Sequence, residues 1–174
     1  MSPKTKKPRP TAYRACVGIM VFNRDGRVWV GQRVDMPGDA EGRGAWWQMP
    51  QGGIDDGENA RAAAFRELEE ETGIVDVTLL GEADDWLTYD LPEELIGVAW
   101  KGRYCGQKQR WFAVRYDGPD HAIVIDPPAD SPHKKEFEAW KWIDIDELVE
   151  AVVPFKRDVY RKAIDALRQH SPAL

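Results

Sequence analysis

From Ala15 to Phe22 the chain runs Ala-Cys-Val-Gly-Ile-Met-Val-Phe without a charged residue, and Asn23-Arg24-Asp25-Gly26-Arg27 follows it. An apolar run closed by turn residues reads as a strand and a hairpin-type turn. Val28 to Gln32 returns as a second strand, so the two are expected to pair. Residues 35 to 45, with Gly38, Gly42 and Gly44, are polar and glycine-rich. That composition predicts a flexible insertion suited to act as a lid, leading into Trp46-Trp47-Gln48-Met49-Pro50. Ala64 and Leu68, four apart, would seat a helix on the core while glutamates face outward. Val77 to Leu80, Trp111 to Tyr116 and Ala139 to Ile143 read as further strands, with Pro127, Pro128 and Pro132 marking a loop between the last two. Asp144 caps a short predicted helix with Glu147 at its third position, and Pro154 starts a longer one reaching about Gln169. This alternation predicts an α/β fold.

The 174 residues are 43% hydrophobic and include eight tryptophans, enough for one domain with a real core, set here at 13–170. Residues 1–12, with Lys4, Lys6, Lys7 and Arg9, are expected to be a disordered basic tail, and 171–174 a short C-terminal one. Twenty-four basic against 30 acidic residues give a net charge of −6. That balance argues against stable binding to duplex DNA by bulk electrostatics. Cys16 and Cys105 offer neither a disulfide framework nor metal spacing, and are expected to be reduced thiols. No apolar run approaches membrane-spanning length and no signal-type core follows the basic start, so a cytoplasmic protein without membrane contact is expected. His121, His133 and His170 show no ligand spacing.

The chemistry concentrates in Gly52-Gly53-Ile54-Asp55-Asp56-Gly57-Glu58 and, after Asn59, in Arg66-Glu67-Leu68-Glu69-Glu70-Glu71-Thr72-Gly73-Ile74. At about 100° per residue, Glu67, Glu70 and Glu71 fall on one third of a helix surface and can converge. Carboxylates packed so closely are tolerable in open water or around a cation, and an oxygen-only set selects hard ions such as Mg²⁺ or Mn²⁺. A solvated acidic face is the competing reading of the helix alone. Asp55-Asp56-Gly57 is turn chemistry and Gly73 a natural stop, which frames the helix between loops. Glu58, nine residues before Glu67, would lie on the far side of a continuous helix, so it is expected to tie the helix start. Arg66 either orients Glu67 or pairs with Glu70 four residues on. Glu69 should point to solvent.

The stretch resembles the Nudix box, Gly-x5-Glu-x7-Arg-Glu-U-x-Glu-Glu-x-Gly-U with U aliphatic, at Gly52, Glu58, Arg66, Glu67, Leu68, Glu70, Glu71, Gly73 and Ile74. The resemblance implies a mixed sheet sandwiched between α-helices (α/β/α) and divalent-metal hydrolysis of phosphoanhydrides. It assigns Glu67, Glu70 and Glu71 as metal ligands, with a carbonyl near Gly52 as a further ligand. It also places Glu136 where a late glutamate binds metal or activates water. Four segments look like one branch of that family: Trp47 to Asp55, Trp86 to Pro92, Gly106 to Phe112 and Pro154 to Tyr160. That branch holds the RNA pyrophosphohydrolases and the dinucleoside polyphosphate (diadenosine tetraphosphate) hydrolases. Tyr89, fifteen residues after Ile74, stands where ADP-ribose-cleaving relatives carry proline. Tyr89 and Phe155 are candidate base platforms, with core packing as the alternative. Arg14, Arg33, Lys108 and Lys156 are candidate phosphate contacts, with an ordinary surface charge as the alternative. The expected substrate is a nucleotide polyphosphate or a 5′-triphosphorylated RNA end. Another nucleoside diphosphate-linked metabolite, or a non-catalytic nucleotide-binding module, is the alternative.

Overall fold

The computed structural model describes residues 7–34 and 46–173. Its elements are β1 (Tyr13–Phe22), β2 (Val28–Arg33), β3 (Trp47–Gln48), β4 (Gln51–Gly53), α1 (Ala60–Thr72), β5 (Val77–Glu82), β6 (Leu87–Asp90), β7 (Gly106–Tyr116), β8 (Phe137–Ile143), α2 (Leu148–Ala151) and α3 (Arg157–Leu167). The predicted insertion at 35–45 lies outside the described residues, as does the tail up to residue 6. From residue 7 the tail is described, and Arg9 pairs with Glu93.

The strands join one mixed sheet. β1 runs parallel to β7 from Tyr13↔Gly106 to Phe22↔Arg115. A parallel pair needs a long crossover, and the segment carrying α1 supplies it. On its other edge β1 pairs with β4 through Cys16↔Gly53, Val17↔Gly52 and Gly18↔Gln51. The expected pairing of β1 and β2 is present, antiparallel and short, at Phe22↔Val28 beside their turn. β4 occupies the edge of β1 that a full hairpin would need, and β2 diverges to pair with β8 from Val28↔Ile143 to Arg33↔Phe137.

Side-chain alternation divides the core in two. On β7, Trp111 and Ala113 pack with Val159, Tyr160, Ala163, Ile164 and Leu167 of α3. Phe112 and Val114 face the other way, onto Ala63, Ala64 and Leu68 of α1. Period-two alternation thus puts helices on both faces of the sheet. A side chain at Gly18 would strike the Trp111 indole, so the central strands interlock only because that position lacks a Cβ.

The other predicted boundaries were short. β7 begins at Gly106 rather than Trp111, and β8 at Phe137 rather than Ala139. The helix from Pro154 begins as a 3₁₀ turn, Pro154–Lys156, before α3, and ends in a second one, Arg168–His170. At the Asp144 cap the Glu147 carboxylate accepts from the Asp144 N–H at 2.9 Å. Cys16 and Cys105 are free and buried. Among the described residues no helix is long and apolar enough to cross a membrane.

Candidate active site

α1 starts because Asn59 accepts from the Ala62 N–H at 2.8 Å, and it stops because Gly73 adopts φ 70° and donates to the Glu69 carbonyl. Between these ends Arg66 organises the acidic face. Its Nε and Nη2 donate to the two Glu58 oxygens at 2.8 Å each, and Nη2 also donates to the Gly53 carbonyl at 2.9 Å. Nη1 reaches Glu67 at 2.9 Å and Glu70 at 3.2 Å. Both sequence readings of Arg66 therefore coexist. One guanidinium fixes the glutamates and, through Gly53, ties α1 to β4. Glu58 also accepts from the Asp55 N–H at 3.1 Å, closing the turn before the helix. That bidentate contact holds the Glu58 carboxyl down at about 2, whereas Arg66 itself is pushed above its ordinary value by the same partner.

The remaining glutamates sit less comfortably. A Cβ at Gly52 would overlap the Glu67 carboxylate, so the glycine opens the room that this side chain fills. Burial raises the Glu67 carboxyl, partly opposed by Arg66. Glu71 is raised well above the usual carboxylate range by burial, then by Glu136 and Glu67, although the Gln51 N–H donates to it at 3.2 Å. Glu69 is exposed, as expected. Among the described residues no group of three acidic, imidazole or thiol side chains is gathered as a ready metal shell. The donor set nevertheless fits a hard divalent cation: it is all oxygen, and its buried member is destabilised by two neighbouring carboxylates, which a cation would relieve.

These groups open onto a cavity of about 540 Å³. It is lined by Gly52, Glu67, Glu71 and Glu136 and also by Arg14, Arg33, Tyr89, Phe155 and Lys156. Glu136, exposed at the last position before β8, comes close enough to raise Glu71. Arg66 and Glu70 flank the cavity without lining it. Lys108 is not brought to the site: it is exposed, with its Nζ 5.2 Å from the Trp86 ring centroid. Strand alternation turns it to the face opposite Gln107. Tyr89 lines the cavity, yet is only 7% exposed and belongs to the core against α3. Phe155, half-buried, meets it at 5.9 Å between ring centroids and presents the more accessible ring. Lys156 is 2% exposed, and its Nζ donates to Gln48 at 3.3 Å and Gln51 at 3.4 Å. Burial and Arg33 bring that ammonium down to about 7.

Three contributors were not foreseen. His133 Nε2 lies 3.6 Å from Glu70, brought there by the loop before β8, and no spacing in the sequence links the two. Trp100 also lines the cavity, its ring centroid 5.7 Å from the Arg14 guanidinium. The glutamines Gln48, Gln51 and Gln107 line the cavity. For Gln107, the alternation with Gln109 and Trp111 along Gly106 to Phe112 was the available signal.

A model of the NUDIX domain matches residues 12–163. An RNA pyrophosphohydrolase of Agrobacterium fabrum is 53% identical over 161 residues, covering 92% of this chain and 94% of the relative. An RNA pyrophosphohydrolase of Brucella ovis is 50% identical over 162 residues, covering 92% and 90%. Among solved structures, an Escherichia coli dihydroneopterin triphosphate pyrophosphohydrolase superposes with a TM-score of 0.63 at 21% identity, covering 90% of this chain and 100% of that one. A Caenorhabditis elegans Ap4A hydrolase gives 0.58 at 18% identity, covering 88% and 98%. At such identities the two structures speak for the shared fold.

Proposed function

The chain belongs to the NUDIX family and is a pyrophosphohydrolase of it, and from that premise we propose that its substrate is the 5′-triphosphorylated end of RNA. Hydrolysis would release pyrophosphate or phosphate and leave a shorter 5′ phosphate. The observation that carries the reading is one cavity lined by the box glutamates Glu67 and Glu71, by the half-buried Arg14 and Arg33 with the buried Lys156, and by the accessible Phe155 ring. A chain of phosphates followed by a base needs those three surfaces in that order. The relatives named for this activity match over nearly the whole chain, which supports it further.

In this reading Glu67, Glu70, Glu71, Glu136 and the Gly52 carbonyl hold Mg²⁺ or Mn²⁺. Bound ions would neutralise the phosphate oxygens and supply an activated water in line with the scissile bond. Arg66 positions Glu67 and Glu70. Glu136, at the mouth, is suited to take the proton of the attacking water. Arg14, Arg33 and Lys156 face the phosphate chain, and Phe155 backed by Tyr89 offers a ring to the base, a contact worth about 1 to 3 kcal/mol.

A dinucleoside polyphosphate presents the same succession of base and phosphates, and the branch resemblance of Trp86 to Pro92 favours it as a second substrate. Purified protein with Mg²⁺ should convert 5′-triphosphorylated RNA to the monophosphorylated form faster than it splits diadenosine tetraphosphate, and should leave ADP-ribose intact. Preferential turnover of ADP-ribose, or none of RNA, would overturn the proposal.

A further inference from the structure

Beneath the cavity lies a chain of buried amides whose direction is set from both ends. The Trp111 indole Nε1 donates to Gln109 Oε1 at 3.0 Å. An indole N–H can only donate, so the Gln109 oxygen must face it and the Gln109 NH₂ must face away. That NH₂ has two protons and two acceptors: Gln107 Oε1 at 2.9 Å and Gln51 Oε1 at 3.2 Å. From the other end Lys156, also donor-only, gives its protons to Gln51 Oε1 and Gln48 Oε1. Every oxygen of this network thus points inward, toward a group that cannot accept.

The consequence falls on Gln107. Its oxygen is committed to Gln109, so its NH₂ is left to donate into the cavity that it lines. Register seats it between two other residues of the cavity lining: Gln107 pairs with Arg14 on one side and Tyr89 on the other, across three adjacent strands. Gln107 and Gln109 are 2% and 1% exposed, so water does not compete for the network. An amide free to flip would serve donor and acceptor ligands alike. This one is locked as a donor.

We propose that Gln107 is a substrate-positioning residue whose amide, held by the Trp111–Gln109 relay, donates a hydrogen bond to an acceptor oxygen of the bound nucleotide. The inference rests on the functional reading above and adds a named contact and its polarity. The acceptor belongs either to the phosphate chain or to the base and ribose, and the same experiment separates the two.

Binding of inorganic tripolyphosphate and of a non-hydrolysable guanosine triphosphate analogue would be measured by calorimetry with Mg²⁺. The variants are Gln107→Glu, which reverses the polarity, and Gln107→Met, which removes the donor without burying a carboxylate if Gln107→Glu fails to fold. Loss of the donor should weaken the nucleotide analogue about ten- to a hundredfold, the worth of a hydrogen bond to a charged acceptor. Weakening of both ligands assigns a phosphate oxygen, and weakening of the nucleotide alone assigns the base or ribose. Gln109→Met, which frees Gln107 to turn without touching the cavity wall, should produce a smaller loss of the same kind. A merely structural role predicts a lower melting temperature with wild-type affinity in the folded protein, and that result would overturn the proposal. Failure of the unmutated protein to bind either ligand would instead overturn the functional reading itself.

Discussion

The two sides of the cavity hold charge by opposite means. On the acidic side, Glu58, Glu67 and Glu70 share one guanidinium, Arg66, whose side chain keeps 28% of its surface exposed. On the other side Lys156 is buried to 2% exposure among glutamine oxygens. Glu58 and Lys156 are both shifted downward, to about 2 and about 7, and the shifts mean opposite things. For the acid it means that the charged form is stabilised by its partner; for the base it means that the charged form is penalised by burial. A site built this way pins Glu58 in its charged form, whereas burial raises Glu67 and Glu71 and penalises the Lys156 ammonium, so these groups would be relieved by a cation and an anion from outside.

The largest expected effect comes from removing charge at Glu71, which Arg66 does not reach and burial penalises most. Glu71→Gln keeps the shape of the side chain and deletes an oxyanion. If the glutamates hold the ions, the rate should fall by several powers of ten at saturating Mg²⁺. The fold should not suffer, because Glu71 is buried beside Glu67 and Glu136 and gains from losing its charge. Steady-state turnover and thermal melting on the same preparation check both halves, and a variant that keeps most of its activity would remove Glu71 from the ligand set.

A smaller effect, on stability first, should follow from Glu58→Gln. The charge-assisted bonds from Arg66 Nε and Nη2 are lost, at a cost of about 1 to 3 kcal/mol near neutral pH. Because the folded Glu58 carboxyl lies at about 2, below its ordinary value of 4.5, its contribution is complete above about 4.5 and disappears as the pH falls through about 2. Urea denaturation from pH 7 to pH 2 should therefore show the two proteins converging across that window. Curves that stay parallel would mean that Glu58 contributes shape rather than charge.

The same contrast explains how much was legible in the sequence. Apart from Glu136, the acidic side comes from one contiguous stretch, where helical periodicity and a Gly73 stop convert spacing directly into geometry. Glu67, Glu70, Arg66 and the tie at Glu58 could be located from local rules alone. The rest of the lining draws Arg14 from β1, Tyr89 from β6, Gln107 from β7 and Lys156 from the 3₁₀ turn before α3. Their meeting depends on strand order, and a parallel β1–β7 pair has no local signature. Lys108 illustrates the difference: one residue from Gln107, it faces the opposite side of the sheet, and only the register shows which of the two reaches the cavity. The β1–β2 pairing was legible but its brevity was not, since the competitor for that edge, β4, is only three residues long.

The mildest test addresses the buried base. Lys156→Met preserves length and removes the ammonium. With a folded value near 7 against an ordinary 10.5, the lysine costs stability fully below about pH 7, and that cost fades as the pH rises toward 10.5. The methionine variant should therefore melt about 2 to 4 °C higher than the unmutated protein at pH 6, the shift expected for roughly 1 kcal/mol in a domain of this size. The gap should narrow toward pH 10. Affinity should move the other way, with KM for the phosphorylated substrate rising about tenfold below pH 7, where the lysine is charged. A lower melting temperature at pH 6 would show that the bonds to Gln48 and Gln51 outweigh the burial of the charge. The lining around Lys156 would then be held by its cation, as the acidic side is held by Arg66.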